Sequence, residues 1–197
     1  MTYYSNQIPK TSDKYSNFDR VKVDPGQTSF FEGREFRTFK ELNVPPLTTY
    51  VIKIVVPVDI VFTQFDSAIE LGHMRLASMV GGTEGGSFSE TLPIFKRNNM
   101  AVGPNKRYDP STMLSFTAGG THTGGTELDV VRVKASSQQV QSTTVGSNAG
   151  DERGVGIGTY YFRIQNLHAT DALIGMIHAS WEERVTPPAS AYADTAP

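Results

Sequence analysis

The sequence contains no cysteine, and this absence removes several classes of function at once. Without thiols the chain has no disulfide framework, no thiolate metal site and no cysteine nucleophile. Thiol redox chemistry is therefore excluded, and nothing in the composition ties the protein to an oxidising compartment.

An excess of charge of one sign is also lacking. Eighteen Lys and Arg residues are balanced by twenty Asp and Glu residues, which gives a formal net charge of −2. Broad binding to nucleic acid needs many basic side chains that displace counterions from the phosphates. We therefore expect no nucleic-acid partner.

Long apolar runs are missing as well. No segment approaches the roughly 18 consecutive apolar residues that span a membrane. The first residues, "MTYYSNQIPKTSDKYSNFDR", lack the apolar segment with basic flanks that marks a signal peptide. The sequence thus predicts a soluble protein that has no membrane partner and is not exported by the usual route.

Helical periodicity is absent too, and short alternating runs take its place. In "GTYYFRIQNL", Tyr160, Phe162 and Ile164 fall on one face and the intervening residues on the other, as in a strand. A chain of 197 residues can bury one good core. The pattern predicts an all-β sandwich or jelly roll over residues 28–185, with an extended N-terminal arm (1–27) and a C-terminal tail (186–197).

Several local signals refine this prediction. "NVPPLTT" is a turn, and Pro57 marks an edge, a bulge or a boundary between two strands. The short turn "HATD" between "GTYYFRIQNL" and "ALIGMIHASWEERV" predicts a β-hairpin. A helical turn remains possible between Phe30 and Leu42, and in "DSAIELG" from Asp66.

Two glycine-rich stretches, "GGTEGG" and "GGTHTGG", resemble each other. Neither has the Gly-Lys-Ser/Thr sequence of a phosphate-binding loop, and neither has the spaced carboxylates of a calcium loop. Turns or bulges, in which glycine adopts positive φ, are the better interpretation. Their similarity suggests matching hairpins at equivalent ends of a sandwich.

Candidate catalytic and metal-binding residues are few. His168 and His178 flank the predicted hairpin turn and could approach each other, but no zinc-binding motif fixes their spacing. Glu182 and Glu183 are adjacent on a strand, so their side chains should diverge instead of converging across a cleft. The nucleophile elbow Gly-x-Ser-x-Gly is absent. We therefore expect no enzymatic activity, no metal and no cofactor.

The combination "EFRTFKELNV…YVIKIVVPV…MRLASMVGGTEGG…GTYYFRIQNL" resembles small virion proteins of tailed bacteriophages, especially capsid decoration (cement) proteins. The resemblance covers residues from Phe36 to Val185. It implies a β-sandwich or jelly roll that assembles as a dimer or trimer on the capsid surface after synthesis in the host cytoplasm. It also implies that the protein stabilises the capsid by bridging major capsid subunits. The alternative is a tail or fibre module that binds a host receptor or glycan.

Within this hypothesis, two sets of residues are candidates for partner binding. An extended chain spans about 3.3 Å per residue, so the arm could reach roughly 90 Å across neighbouring capsid subunits. Its aromatic anchors would be Tyr3, Tyr4, Tyr15 and Phe18. The basic stretch "FKRNNMAVGPNKRYDP" is either a solvated loop or a contact with an acidic partner surface. Its basic residues are Lys96, Arg97, Lys106 and Arg107.

Overall fold

The computed structural model describes residues 10–12, 19–21, 28–31, 33–97, 115–135, 141–145 and 153–184. These residues form one helical turn and fifteen strands: β1 (Lys10–Ser12), β2 (Asp19–Val21), α1 (Thr28–Phe31), β3 (Glu35–Val44), β4 (Thr49–Val56), β5 (Ile60–Val80), β6 (Thr83–Gly85), β7 (Glu90–Thr91), β8 (Ile94–Lys96), β9 (Ser115–Ala118), β10 (Thr121–Thr123), β11 (Thr126–Ala135), β12 (Gln141–Val145), β13 (Arg153–Val155), β14 (Gly158–Asn166) and β15 (Leu173–Glu183). The all-β prediction is confirmed.

The 21-residue strand β5 organises the largest sheet, which contains eleven strands. One edge of β5 pairs in turn with β11, β12 and β13, and the other edge pairs with β14 and β15, all antiparallel. The partners change near Gly72, which has a φ of 96°. A Cβ atom there would lie 2.9 Å from the Cα of Leu173, so both the backbone angle and the space require glycine.

This change of partners divides the large sheet into two parts. The first half-sheet contains residues 60–71 of β5 with β12, β13, β15, β3 and β8. The second half-sheet contains residues 72–80 of β5 with β11, β14, β4, β9 and β7.

The two half-sheets face each other across one hydrophobic core. Trp181 of the first half-sheet packs against Phe116 of the second, with ring centroids 5.2 Å apart. Phe65 and Phe162 meet edge to face in the same way, at 5.3 Å. The predicted sandwich is therefore confirmed, in a jelly-roll-like form.

The predicted hairpin between β14 and β15 is wrong. Both strands run antiparallel to β5 along the same edge, so they follow one another and do not pair. Residues 167–172 connect them opposite Gly72, where buried Asn166 holds the connection. Its Nδ2 donates to the carbonyls of Val44 (3.0 Å) and Asp171 (2.8 Å), and its Oδ1 accepts from the N–H of His168 (2.9 Å).

The connection between β3 and β4 lies beside the connection between β14 and β15, because β3 pairs with β15 and β4 pairs with β14. The connection between β3 and β4 is the predicted Pro-Pro turn. Leu47 adopts a φ of 55°, and both the N–H and the hydroxyl of Thr48 donate to the carbonyl of Pro45. The turn at "NVPPLTT" is thus confirmed.

The remaining local predictions divide. Pro57 lies between β4 and β5, as one of its three predicted interpretations required. The segment from Phe30 to Leu42 contains both alternatives, since α1 ends at Phe31 and β3 begins at Glu35. The helical turn considered in "DSAIELG" is not present, because these residues belong to β5.

Residues 1–27 were expected to form an extended arm. Among them, the structure describes β1 and β2, which pair antiparallel in the register Lys10↔Val21 to Ser12↔Asp19. This pairing places the two short strands side by side, and the extended arm (1–27) with its reach of roughly 90 Å stays a prediction. The proposed tail (186–197) lies outside the described residues.

Candidate functional site

Most of the predicted partner-binding residues lie outside the part of the chain that the structure describes. These are Tyr3, Tyr4, Tyr15, Phe18, Lys106 and Arg107. Lys96 and Arg97 are described. Lys96 is the last residue of the edge strand β8, and Arg97 follows it directly.

Lys96 and Arg97 do not act as one basic patch. Lys96 is opposite Phe36 and shares its inward-facing side of the sheet. Arg97 faces the other side, where its guanidinium binds the carboxylate of Glu35 at 2.9 Å. The ion pair neutralises the charge of Arg97, so electrostatic attraction of an acidic partner would have to compete with Glu35.

An aromatic pair next to Arg97 is the more prominent surface feature. Phe95 of β8 and Phe39 of β3 stack with ring centroids 5.7 Å apart and an interplanar angle of 5°. The two residues are 41% and 40% exposed. Both rings point away from the core, because Phe36 and Leu42 occupy the inner face of the same strand.

The apolar surface continues from Phe39 onto β15. Met176 and Ile174 project from the same face, opposite Glu41 and Asn43 of β3, and both are exposed. We call the four residues Phe39, Phe95, Ile174 and Met176 the outer apolar patch. Clustered exposed apolar side chains of this kind are typical of surfaces that bind a partner.

A polar group borders the outer apolar patch. His178 is paired with Phe39 across the strands, and its Nδ1 lies 3.7 Å from Oδ2 of Asp66 on β5. The side chain of Gln64 donates to the same Oδ2 at 2.6 Å. These polar side chains lie beside the apolar residues, as in the polar rim of an interface.

The two glycine-rich stretches form a second cluster, on the outer face of the second half-sheet. They pair with each other through β6 and β10, in the register Thr121↔Gly85 to Thr123↔Thr83. The predicted turns are confirmed by positive φ angles in both stretches. The predicted placement at equivalent ends of the sandwich is wrong, since the stretches meet at one corner.

His122 connects this corner to the sheet below. The imidazole is 4% exposed and stacks on Tyr161 with ring centroids 3.9 Å apart. Its Nε2 lies 2.7 Å from the carbonyl oxygen of Gly81. Gly82 makes room for the ring, because a Cβ atom at that position would lie 2.5 Å from Nε2.

Glu84 holds the same corner by charge. It forms an ion pair with Lys53 at 2.7 Å and accepts a hydrogen bond from the Tyr161 hydroxyl at 2.5 Å. These two contacts hold the pKa of Glu84 below its usual value. Burial, followed by the hydrogen bond to Glu84, raises the pKa of Tyr161 to about 12. The stacking of His122 on Tyr161 and the contacts of Glu84 hold the two glycine-rich stretches against the sheet, so these stretches have a structural role.

The other candidate catalytic residues are separated. His168 lies near Asp171 and His178 near Asp66, so the two histidines have different partners. Glu182 contacts Arg34 at 2.6 Å, whereas Glu183 is buried and lies 3.4 Å from the Trp181 indole nitrogen. The carboxylates diverge as expected. Within the described ranges, no group of three or more His, Asp or Glu side chains could hold a metal ion.

Among the described residues, no helix has the length and apolar character needed to cross a bilayer.

Comparison with known proteins yields no relative: no protein-family model, curated protein or solved structure matches this chain. The fold and the surface define an all-β sandwich protein with an exposed apolar face. The resemblance to bacteriophage virion proteins stays a prediction.

Sequence reasoning missed the outer apolar patch and the Glu84–His122–Tyr161 corner. Strand alternation in "EFRTFKELNV" places Phe36 and Phe39 on opposite faces, which was a usable signal for an outward aromatic ring. The corner had a weaker signal, because nothing local indicates that two similar glycine-rich stretches will pair with each other.

Proposed function

We propose that this chain is a non-enzymatic structural protein of a virion, which decorates a bacteriophage capsid and stabilises it by bridging major capsid subunits. The observation that supports the proposal is the outer apolar patch on the face of a sandwich. Its stacked rings belong to paired strands, so their geometry is fixed before binding and little side-chain entropy is lost.

The proposal assigns the outer apolar patch to the contact with the major capsid protein. Exposed aromatic and methionine side chains supply large apolar contact areas, and such residues are enriched in protein interfaces. Arg97, Glu35 and the His178–Asp66 group lie around these side chains and would form the polar rim. A protein that binds only the assembled shell stabilises that shell by mass action.

The proposal is tested with capsid shells from the virus that encodes this chain. Bound protein is measured by cosedimentation of shells with the wild type and with Phe39→Ser/Phe95→Ser. We expect the double variant to bind at least tenfold more weakly, because each of the two residues is about 40% exposed and available for contact. Shells decorated with the wild type should also withstand higher temperatures than bare shells.

The matched control is Val55→Ser/Val130→Ser. These valines are 37% and 39% exposed and belong to β4 and β11 of the second half-sheet. The control should bind shells like the wild type, and melting curves should show that both double variants are folded. Absence of the wild type from shells would contradict the proposal. Its recovery on purified tails would instead favour the tail or fibre alternative.

A further inference from the structure

A partly open cavity of about 550 Å³ lies between the two half-sheets. Such a volume falls within the range of about 300–1,000 Å³ that is typical of small-molecule sites. The cavity lies where β11 of the second half-sheet faces β13 of the first. We propose that this cavity binds an uncharged, apolar small molecule.

Aromatic rings from both half-sheets line the cavity. Phe62 and Phe65 of β5 approach Phe162 of β14, with ring centroids 6.4 Å and 5.3 Å apart. Aliphatic side chains form further walls, including Leu76 and Val131. An apolar molecule that enters would exchange water for these surfaces, which stabilises the bound state roughly in proportion to the apolar area covered.

The charges at the cavity favour an uncharged occupant. Among the described residues that line it, Asp129 and Arg153 are the charged ones, and they form an ion pair with each other. This pair joins β11 to β13 beside the cavity. A charged molecule would leave water without gaining an unpaired opposite charge, and that desolvation is costly.

The walls also favour a small molecule over an inserted peptide strand. A strand binds by adding to a free sheet edge, where N–H and C=O groups are available. Here the lining consists mainly of side chains on the faces of strands, and β5 is paired along both edges, whereas in the described residues β11 and β13 pair with β5 alone. The cavity therefore offers side-chain contact to a compact apolar ligand.

A bulge in β11 shapes the entrance. The register between β11 and β5 shifts between Glu127 and Asp129, and Leu128 at this shift lines the cavity while remaining 56% exposed. The bulge turns one apolar side chain to the mouth where regular alternation would place a polar one. Leu128 would contact the part of the ligand nearest to solvent.

The test uses the full chain and the neutral fluorescent probe N-phenyl-1-naphthylamine. We expect saturable binding of one probe per chain and a higher melting temperature in the presence of the probe. Val131→Trp, which fills the cavity, should weaken probe binding at least tenfold. Val130→Trp is the matched control, because this neighbouring valine is exposed and does not line the cavity. Its probe affinity should stay within twofold of the wild type.

Two further measurements keep the proposal open to refutation. If Val131→Trp does not give a cooperative melting transition, Ser78→Leu adds volume at another lining position and should weaken binding in the same way. The related anionic probe 1-anilinonaphthalene-8-sulfonate should bind at least tenfold more weakly than the neutral probe. The proposal is wrong if the wild type shows no saturable binding, if folded cavity-filling variants bind like the control, or if the anionic probe binds as tightly as the neutral one.

Discussion

Single side chains determine how the two glycine-rich stretches meet. Glu84 forms an ion pair with Lys53 and accepts a hydrogen bond from the Tyr161 hydroxyl. His122 packs between the "GGTEGG" stretch and the Tyr161 ring. The ion pair is partly exposed to water, which screens it, so its contribution to stability should be modest.

We expect Glu84→Gln to lower the free energy of unfolding by up to about 1 kcal/mol near neutral pH. Folding lowers the pKa of Glu84 below its unperturbed value of 4.5. The charged carboxylate therefore stabilises the folded protein above pH 4.5, and this stabilisation is lost as the pH falls through the folded pKa. The difference between wild type and variant should therefore shrink below about pH 4.5. Urea unfolding at pH 7, pH 5 and pH 3 measures this difference.

Glu70→Gln is the control for this pH dependence. Glu70 is an exposed carboxylate on the part of β5 that belongs to the first half-sheet. Its replacement should change stability by less than about 0.5 kcal/mol at each pH. A wild-type advantage over Glu84→Gln that persists unchanged at pH 3 would rule out the carboxylate charge as its source.

Two pairs of consecutive strands each pass from one half-sheet to the other through a short connection, and the two connections lie side by side. β3 passes into β4 at the Pro-Pro turn, and β14 passes into β15 at residues 167–172. Asn166 links these two connections, because its side chain contacts the carbonyls of Val44 and Asp171. One buried amide thus holds the two connecting segments together.

We expect Asn166→Ala to destabilise the protein by about 2–3 kcal/mol, since it leaves buried backbone groups without their hydrogen-bond partner. Asn43→Ala is the control, because Asn43 is exposed on the outer face of β3 and its loss should cost less than about 0.5 kcal/mol. Thermal and urea unfolding measure both. Equal effects of the two substitutions would show that the Asn166 hydrogen bonds do not hold the two connecting segments together.

Strand identity was largely predictable from sequence, whereas strand pairing was not. The alternation in "GTYYFRIQNL" correctly placed Tyr160, Phe162 and Ile164 on one common face, because side-chain direction follows from local geometry; the structure shows that this face is the core side. The "HATD" turn suggested a hairpin because short turns usually reverse the chain. Only the length of β5, which pairs with both flanking strands in succession, shows why the chain continues forward.

The candidate site was less predictable for the same reason. The outer apolar patch combines residues from β3, β8 and β15, so it exists only after these strands are in register. The cavity likewise needs both half-sheets. The predicted basic residues Lys96 and Arg97 were identifiable as charges, but the pairing of Arg97 with Glu35 depends on the contact between β8 and β3.

At the scale of the whole molecule, the strand edges of the sandwich are the feature that bears on assembly. In the described part of the chain, β8 pairs with β3 alone and β11 pairs with β5 alone. Free N–H and C=O groups along such edges can pair with another copy. These edges make self-association the expected behaviour.

We expect a dimer or trimer with closed symmetry, seen by light scattering after size-exclusion chromatography as a multiple of 21.6 kDa. Phe39→Ser/Phe95→Ser should leave this oligomer intact if strand edges form it. The same variant should yield monomers if the outer apolar patch forms it. Monomeric wild-type protein at every concentration would contradict self-association in solution.

The position of β5 within the chain also sets the order of events during synthesis. Residues 60–80 are translated well before β11, β14 and β15, which supply most of their backbone partners and end at Glu183. At a synthesis rate of roughly 5–20 residues per second, on the order of 10 s pass between the translation of β5 and the translation of its last partner strand. During this interval a nascent chain carries an unpaired, largely apolar strand, so production of folded protein should depend on chaperones that shield it on the ribosome.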